Sequence, residues 1–402
     1  MPFIVKTLFT ITVLELLIGG GGRLFEVGPV TVRMILFVIC LCVGFSVAIS
    51  RMEKAEGIPL AIILVSAYLF VHITGILIGL SKGNDLDVAT KEMQLSLYWL
   101  AAIFFAQVLH SRNMVVHYSL LVRFAGLFLA VAYIGVILSL AIGMIDYSLL
   151  YSMLSMSDEF SFRSSGFFVY KGFIYLGISA IFFVALPGRY SAIFSTLIIA
   201  ALAMTLTRGF ILSTVFAMLL MLMMQRRWRQ LGILTCLASC ALFFVFIYMP
   251  LQDEAISLSR EISNGQRIDD FAYIVENFRA NSLFFGEGMG TPINDRINIE
   301  NTFLWALWRL GIFGVLFWLC PLIICHRYFM KIKRGSPQFN LACAYYFSTI
   351  LIYVQTMSNP YLNNSIGLSF ILAAIFSLRT LSRIGPNADS EKEFLYEVEP
   401  SP

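Results

Sequence analysis

Charge is what this 402-residue chain has least of: 13% of its residues are Asp, Glu, Lys or Arg, against 59% hydrophobic. A soluble domain carries about 25% charged residues. The shortage, with a mean hydropathy of +0.82, excludes an ordinary soluble enzyme. Histidine is scarce too: there are four, and none falls in the segments assigned below to the outer face. No His/Asp/Cys cluster stands there for a metal, so neither a metal nor any other cofactor is expected. The seven cysteines (Cys40, Cys42, Cys236, Cys240, Cys320, Cys325 and Cys343) lie in or at the ends of apolar runs. No pair has disulfide or metal-ligand spacing in a loop, so they read as small apolar residues. No small-residue cleavage site follows the first apolar stretch, which reads as a membrane helix and not a removed signal. No internal repeat argues for an inverted-repeat transporter, and nothing points to nucleic acid.

What the chain does have is apolar runs near the roughly 20 residues needed to cross a bilayer. They are continuous, not alternating, which disfavours a β-barrel. The fold expected is an all-α polytopic membrane protein with about twelve spans: 3–19, 30–50, 58–80, 93–109, 118–142, 171–186, 190–206, 209–224, 231–250, 301–320, 338–357 and 364–380. Nine spans thus occupy 1–250, one large loop 251–300 and three spans 301–380; the tail 381–402, with Pro386 and its acidic residues, reads as disordered. Alternate loops are short and basic (SRMEK, HSRNMVVH, PGR, QRRWR, HRYFMKIKR), which places them and both termini in the cytoplasm.

The opposite loops then face outside: the Gly-rich 19–29, the segments 81–92 and 143–170, and the large loop. Within the large loop, Ile268, Phe271, Val275 and Phe278 fall on one helical face. They predict an amphipathic helix over 267–280, lying on the membrane or over a cavity, with Asn264-Gly265 as a break before it.

Arginine is rare in outer loops, yet Arg163, Arg260, Arg267, Arg279 and Arg296 are all there. Arg208 joins them from the apolar stretch AMTLTRGFILSTVF. A guanidinium at the bilayer centre costs roughly 2.5–3.5 kcal/mol. The runs on either side, 190–206 and 209–224, are short for spans, which moves Arg208 to an outward-facing junction. Arginine's planar fork suits phosphate, so Arg208, Arg267, Arg163 and Arg279 are candidates for an anionic headgroup. For Arg260, Arg279 and Arg296, ordinary ion pairs with loop carboxylates stand as the other reading. GEGMG (286–290) has no preceding strand and no following Lys-Ser/Thr, so it reads as a tight turn and not a nucleotide loop. Glu300 and Asn301 stand at the outer mouth of the tenth span. Glu300 is either a general base or a carboxylate favoured by the helix dipole, and Asn301 is a candidate substrate contact. Arg309, a little over two turns further in, should face the interior.

These residues resemble the bacterial O-antigen polymerase and O-antigen ligase superfamily. The resemblance is carried by TLTRG (205–209) between short spans, NGQRIDDF (264–271) in a long loop, GEGMG (286–290), and ENTFLWALWRLGIFG (300–314). FRSSGFF (162–168) resembles the family's arginine-and-glycine segment ahead of a span. The match covers roughly residues 160–320. It implies a type C glycosyltransferase-like fold in the inner membrane, acting at the periplasmic face on undecaprenyl-pyrophosphate-linked oligosaccharides, with a chain-length regulator as a possible partner. Arg208 and Arg267 would hold the pyrophosphate, with Arg163 a third candidate, and Glu300 would deprotonate the acceptor hydroxyl. Ligases of this family carry histidine where Glu300 stands, and that departure favours a polymerase. A ligase acting on lipid A core, or a flippase of lipid-linked glycans, are the alternatives.

Overall fold

A computed structural model describes residues 3–24, 26–27, 30–51, 57–157, 159–162, 167–243, 254–294, 296–297 and 299–384. The described chain is mostly helical, and its order follows the hydrophobic runs. The N-terminal part runs α1 (Phe3–Ile18), a two-residue hairpin β1–β2 (Glu26–Val27, Val30–Thr31), α2 (Val32–Arg51), α3 (Ile58–Ser81), α4 (Leu86–Leu95), α5 (Ala102–Val108) and α6 (Arg112–Ala141). The middle holds α7 (Tyr147–Leu154), the hairpin β3–β4 (Phe160–Phe162, Phe168–Tyr170), α8 (Ile174–Ala185), α9 (Ser191–Met204), α10 (Arg208–Met224) and α11 (Trp228–Phe243). The C-terminal part is α12 (Glu254–Asn277), α13 (Thr302–Met330), α14 (Phe339–Gln355) and α15 (Ser365–Arg383).

Five helices (α2, α3, α6, α13 and α15) are long and apolar enough to cross a membrane, and several shorter apolar helices accompany them. This is a polytopic helical membrane protein. Burial separates its centre from its rim: 78% of the apolar window of α15 is enclosed, against 22% for α2. The large apolar side chains that α2, α3 and α6 leave outside, such as Phe45, Phe70 and Phe124, are what a lipid-facing surface needs. At the centre, α8 is buried along almost its whole length and packs on α6, α9, α10 and α14.

Three segments depart from the sequence reading. The run 93–109 is not one continuous α-helix: α4 starts inside the segment read as an outer loop, and a 3₁₀ turn (Leu97–Ala101) separates it from α5. Asn264-Gly265 is no break, because α12 runs through it from Glu254; its intrahelical bonds outweigh a single glycine's cost of about 1 kcal/mol. The third departure is inside α13, where Gly311 takes a left-handed backbone (φ 65°, ψ −159°) that a side chain would resist. The GEGMG turn fills this interruption: Glu287 and Gly288 donate to the carbonyls of Trp308 and Arg309, while Ile312 and Phe313 donate to those of Leu283 and Phe284. Backbone groups freed by the kink are thereby satisfied, as an apolar medium requires. The tail beyond Ile384 lies outside the described residues.

Candidate active site

The site begins where two short helices meet. α9 has 14 residues and α10 has 17, and the turn between them is closed by Leu206 in a left-handed conformation (φ 54°). Thr205 steadies the turn, donating to the Leu202 carbonyl at 2.7 Å and accepting from the Thr207 amide at 3.3 Å. Thr207 precedes α10 but does not cap it; its hydroxyl donates backwards to the Thr205 carbonyl at 3.2 Å. Arg208, half-buried, is the first helical residue. A guanidinium and the positive end of a helix are therefore in one place, and both favour an anion.

Gly209 follows and lies close against the end of α14: a Cβ there would stand 2.9 Å from Gln355 Nε2 and 3.2 Å from Ser358 Oγ. The buried Gln355 amide ties the end of α14 to α10, accepting from Ser213 Oγ at 3.2 Å and donating to Ser358 Oγ at 3.2 Å. The turn after α14 is also where α12 arrives. Arg267 Nη2 donates to the Ser358 carbonyl at 3.4 Å, and Arg267 Nε donates to Glu300 Oε2 at 2.7 Å. Glu300 is placed by Asn301, whose Oδ1 accepts from the amides of Phe303 and Leu304 (2.9 and 3.2 Å) and so caps α13. Thr302 N, at the start of α13, donates to the Thr356 carbonyl at 3.4 Å, closing the ring of contacts.

Two of the sequence candidates meet, Arg267 and Glu300, with Arg267 also bonded to the 355–358 turn; Arg208 precedes Gly209, which packs against the same turn. Asn301 supports them as a helix cap. Arg279 is exposed at the start of a 3₁₀ turn (Ala280–Ser282), and its charge acts on Glu287. Arg163 lies outside the described residues. Arg296 pairs with Asp270, the ordinary ion pair anticipated for it. Sequence reasoning missed Gln355 and Ser358. The signal was an amide within an apolar run followed by the polar stretch SNPYLNN, which only tertiary contact connects to TRG.

Arg309 faces the interior, as its place in the span implied, and pairs there with Glu92 of α4. It also donates to the carbonyls of Thr291 (3.2 Å) and Ile297 (2.6 Å), while Glu92 accepts from the Gly290 amide at 2.9 Å. This pair fastens the chain between the GEGMG turn and Glu300 to the helical bundle. Among the described residues no group of His, Cys, Asp and Glu is arranged to hold a metal.

An exposed Arg–Glu pair and a half-buried arginine at a helix N-terminus are groups able to attract an anion and to take up a proton. Residues 193–319, which contain both arginines and Glu300, match the O-antigen ligase family. Across 384 residues the chain is 28% identical to an O-antigen polymerase of Shigella flexneri, covering 92% of this chain and 93% of that protein. The resemblance extends to nearly the whole chain. It includes the N-terminal spans, which lie outside the family match.

Proposed function

We propose that the chain is an O-antigen polymerase, a membrane glycosyltransferase that joins undecaprenyl-pyrophosphate-linked oligosaccharide repeats at the periplasmic face of the inner membrane. The observation that carries the chemistry is the Arg267–Glu300 pair beside the 355–358 turn, against which Gly209, the neighbour of Arg208, packs. Glu300 accepts the proton of the acceptor sugar hydroxyl, and the oxygen attacks the anomeric carbon of the donor. The bond from that carbon to the pyrophosphate oxygen breaks, and polyprenyl pyrophosphate leaves with the negative charge. Arg208, Arg267 and the first turn of α10 stabilise that charge. Arg267 is held by Glu300; an incoming pyrophosphate takes the guanidinium and frees the carboxylate for the proton. The arrangement of twelve spans, both termini cytoplasmic and the 251–300 loop periplasmic, belongs to the same proposal, as does regulation of product length by a separate protein.

A ligase is the second reading, favoured by the family match. The acceptor separates the two: purified protein given lipid-linked repeats alone lengthens them only if it polymerises. The residue test is Arg208→Lys in a deletion strain read by its glycan ladder. A point charge lacks the bidentate fork, so long chains should be lost. A ladder of normal length would remove Arg208 from the pyrophosphate site.

A further inference from the structure

Helix α12 sorts its residues into faces. Arg267, Asp270 and Ile274 point towards the protein. Ile268, Phe271 and Val275, at i, i+3 and i+7, are 66%, 56% and 62% exposed, an apolar face with no protein against it. Gln266, Asp269, Tyr273 and Glu276 follow the same spacing two residues earlier or one later, which at 100° per residue puts them on a different face of the helix. They line a cavity of about 490 Å³ whose other wall is Asn294 and Arg296. That volume is within the range of about 300–1,000 Å³ of small-molecule sites.

The far wall is built, not incidental. Ile293 and Arg296 exchange backbone hydrogen bonds at 2.9 and 2.8 Å, forcing Asn294 into a left-handed turn (φ 45°). Asn294 Nδ2 donates across the cavity edge to the Asp269 carbonyl at 3.4 Å, and Arg296 is fixed by Asp270 beneath it. Tyr273 is held edge-on by Trp308, with ring centroids 5.6 Å apart. The cavity thus offers two carboxylates, two amides and one braced aromatic ring, a set matched to the hydroxyls and apolar ring faces of a saccharide. Arg296 is neutralised by Asp270, which leaves Asp269 and Glu276 as the net charge. That charge suits neutral or amino sugars and repels uronic acids.

We propose that this cavity is a saccharide-binding subsite, holding neutral or amino sugars of the lipid-linked glycan on the side of α12 away from the apolar face. The inference rests on the polymerase reading for its substrate class. Gln266, which lines the cavity, is the sequence neighbour of Arg267. The apolar face lies against lipid while the sugars are kept in water.

The experiment uses full-length protein in lipid nanodiscs and, as probe, the one- and two-repeat oligosaccharides released by mild acid from the source strain's own polysaccharide. Saturation-transfer NMR should detect binding to the wild type. Gln266→Ala and Glu276→Gln, both at exposed positions where folding is undisturbed, should each weaken it at least ~5-fold, and Tyr273→Ala more. Arg208→Lys should bind the free glycan as the wild type does, because the probe has no pyrophosphate. Digalacturonate should fail to compete. Equal binding by the wild type and the three cavity variants, absence of binding to the wild type, or competition by digalacturonate each overturns the subsite. If Arg208→Lys keeps long chains in the strain while the cavity variants lose glycan binding, the subsite stands and the polymerase mechanism falls.

Discussion

Two arginine–glutamate pairs flank the start of α13, and they are opposites. Arg309 and Glu92 have side chains 1% and 4% exposed, and backbone groups complete both. Arg267 and Glu300, at 39% and 48% exposed, hold each other with one further bond to a carbonyl. Deep in the bundle, losing one partner strands a charge, at about 3–5 kcal/mol. At the mouth the pair is worth about 0–1 kcal/mol, because water solvates either partner when they separate. The same two side-chain types therefore serve as a fastening in one place and as an exchangeable contact in the other. Under the proposed mechanism, in which Arg267 passes to a phosphate, only the second kind suits the site.

The largest expected effect breaks the comparison on its buried side. Arg309→Met should destabilise the protein by about 3–5 kcal/mol, seen as a lower Tm and poor recovery in detergent. Adding Glu92→Leu should restore part of the loss, since no unpaired charge then remains. A single variant with near-wild-type Tm would show that the pair is not a fastening. Next in size is the exposed side, where stability and activity should separate. Arg267→Ala and Glu300→Gln should each shift unfolding by no more than about 1 kcal/mol while cutting polymer synthesis about 10²-fold or more. Glu300→Gln should lower kcat more than it raises KM if Glu300 takes the proton. The reverse pattern would reassign it to binding.

The sequence carried one of these pairs further than the other. Arg267 and Glu300 were both legible as candidates, because arginine is anomalous in an outer loop and a carboxylate before a span is easily seen. Their contact was not legible: 33 residues separate them, and the 355–358 turn that Arg267 also bonds comes from a third part of the chain. Arg309 was legible as interior from its depth in a span, but its partner Glu92 falls in a segment whose composition reads as an exposed loop. The junction at Arg208 came through correctly, since two runs too short for spans locate it without tertiary information. Gly311 did not, because a glycine within an apolar run looks the same whether the helix continues or stops. What decides is the GEGMG turn packed against it, and that is a non-local fact.

Glu287 stands between the two pairs, and it gives the smallest effect and the finest test. Its carboxylate is 12% exposed, while its partner Lys82 is 39% exposed. Burial pushes the carboxyl up, but hydrogen bonds from Lys82 and Ser282 (2.5 Å each), with the charges of Lys82 and Arg279, outweigh it and hold the group below its ordinary 4.5. A carboxyl depressed in the folded state contributes stability that is fully present above its unfolded value. It loses that contribution as pH falls through 4.5 and below the folded value. Glu287→Gln removes the charge, so at neutral pH the variant should be less stable than the wild type by about 1 kcal/mol or less, given the half-exposed lysine. The gap should narrow on acidification below about pH 4.5, where the wild-type carboxyl takes up its proton. Thermal unfolding of both proteins across that range measures it. A gap that stays constant would mean that the GEGMG turn is held by its backbone bonds to Trp308 and Arg309 alone. The contrast between buried and exposed charge at this end of α13 would then rest on the Arg309 and Arg267 pairs, with no graded case between them.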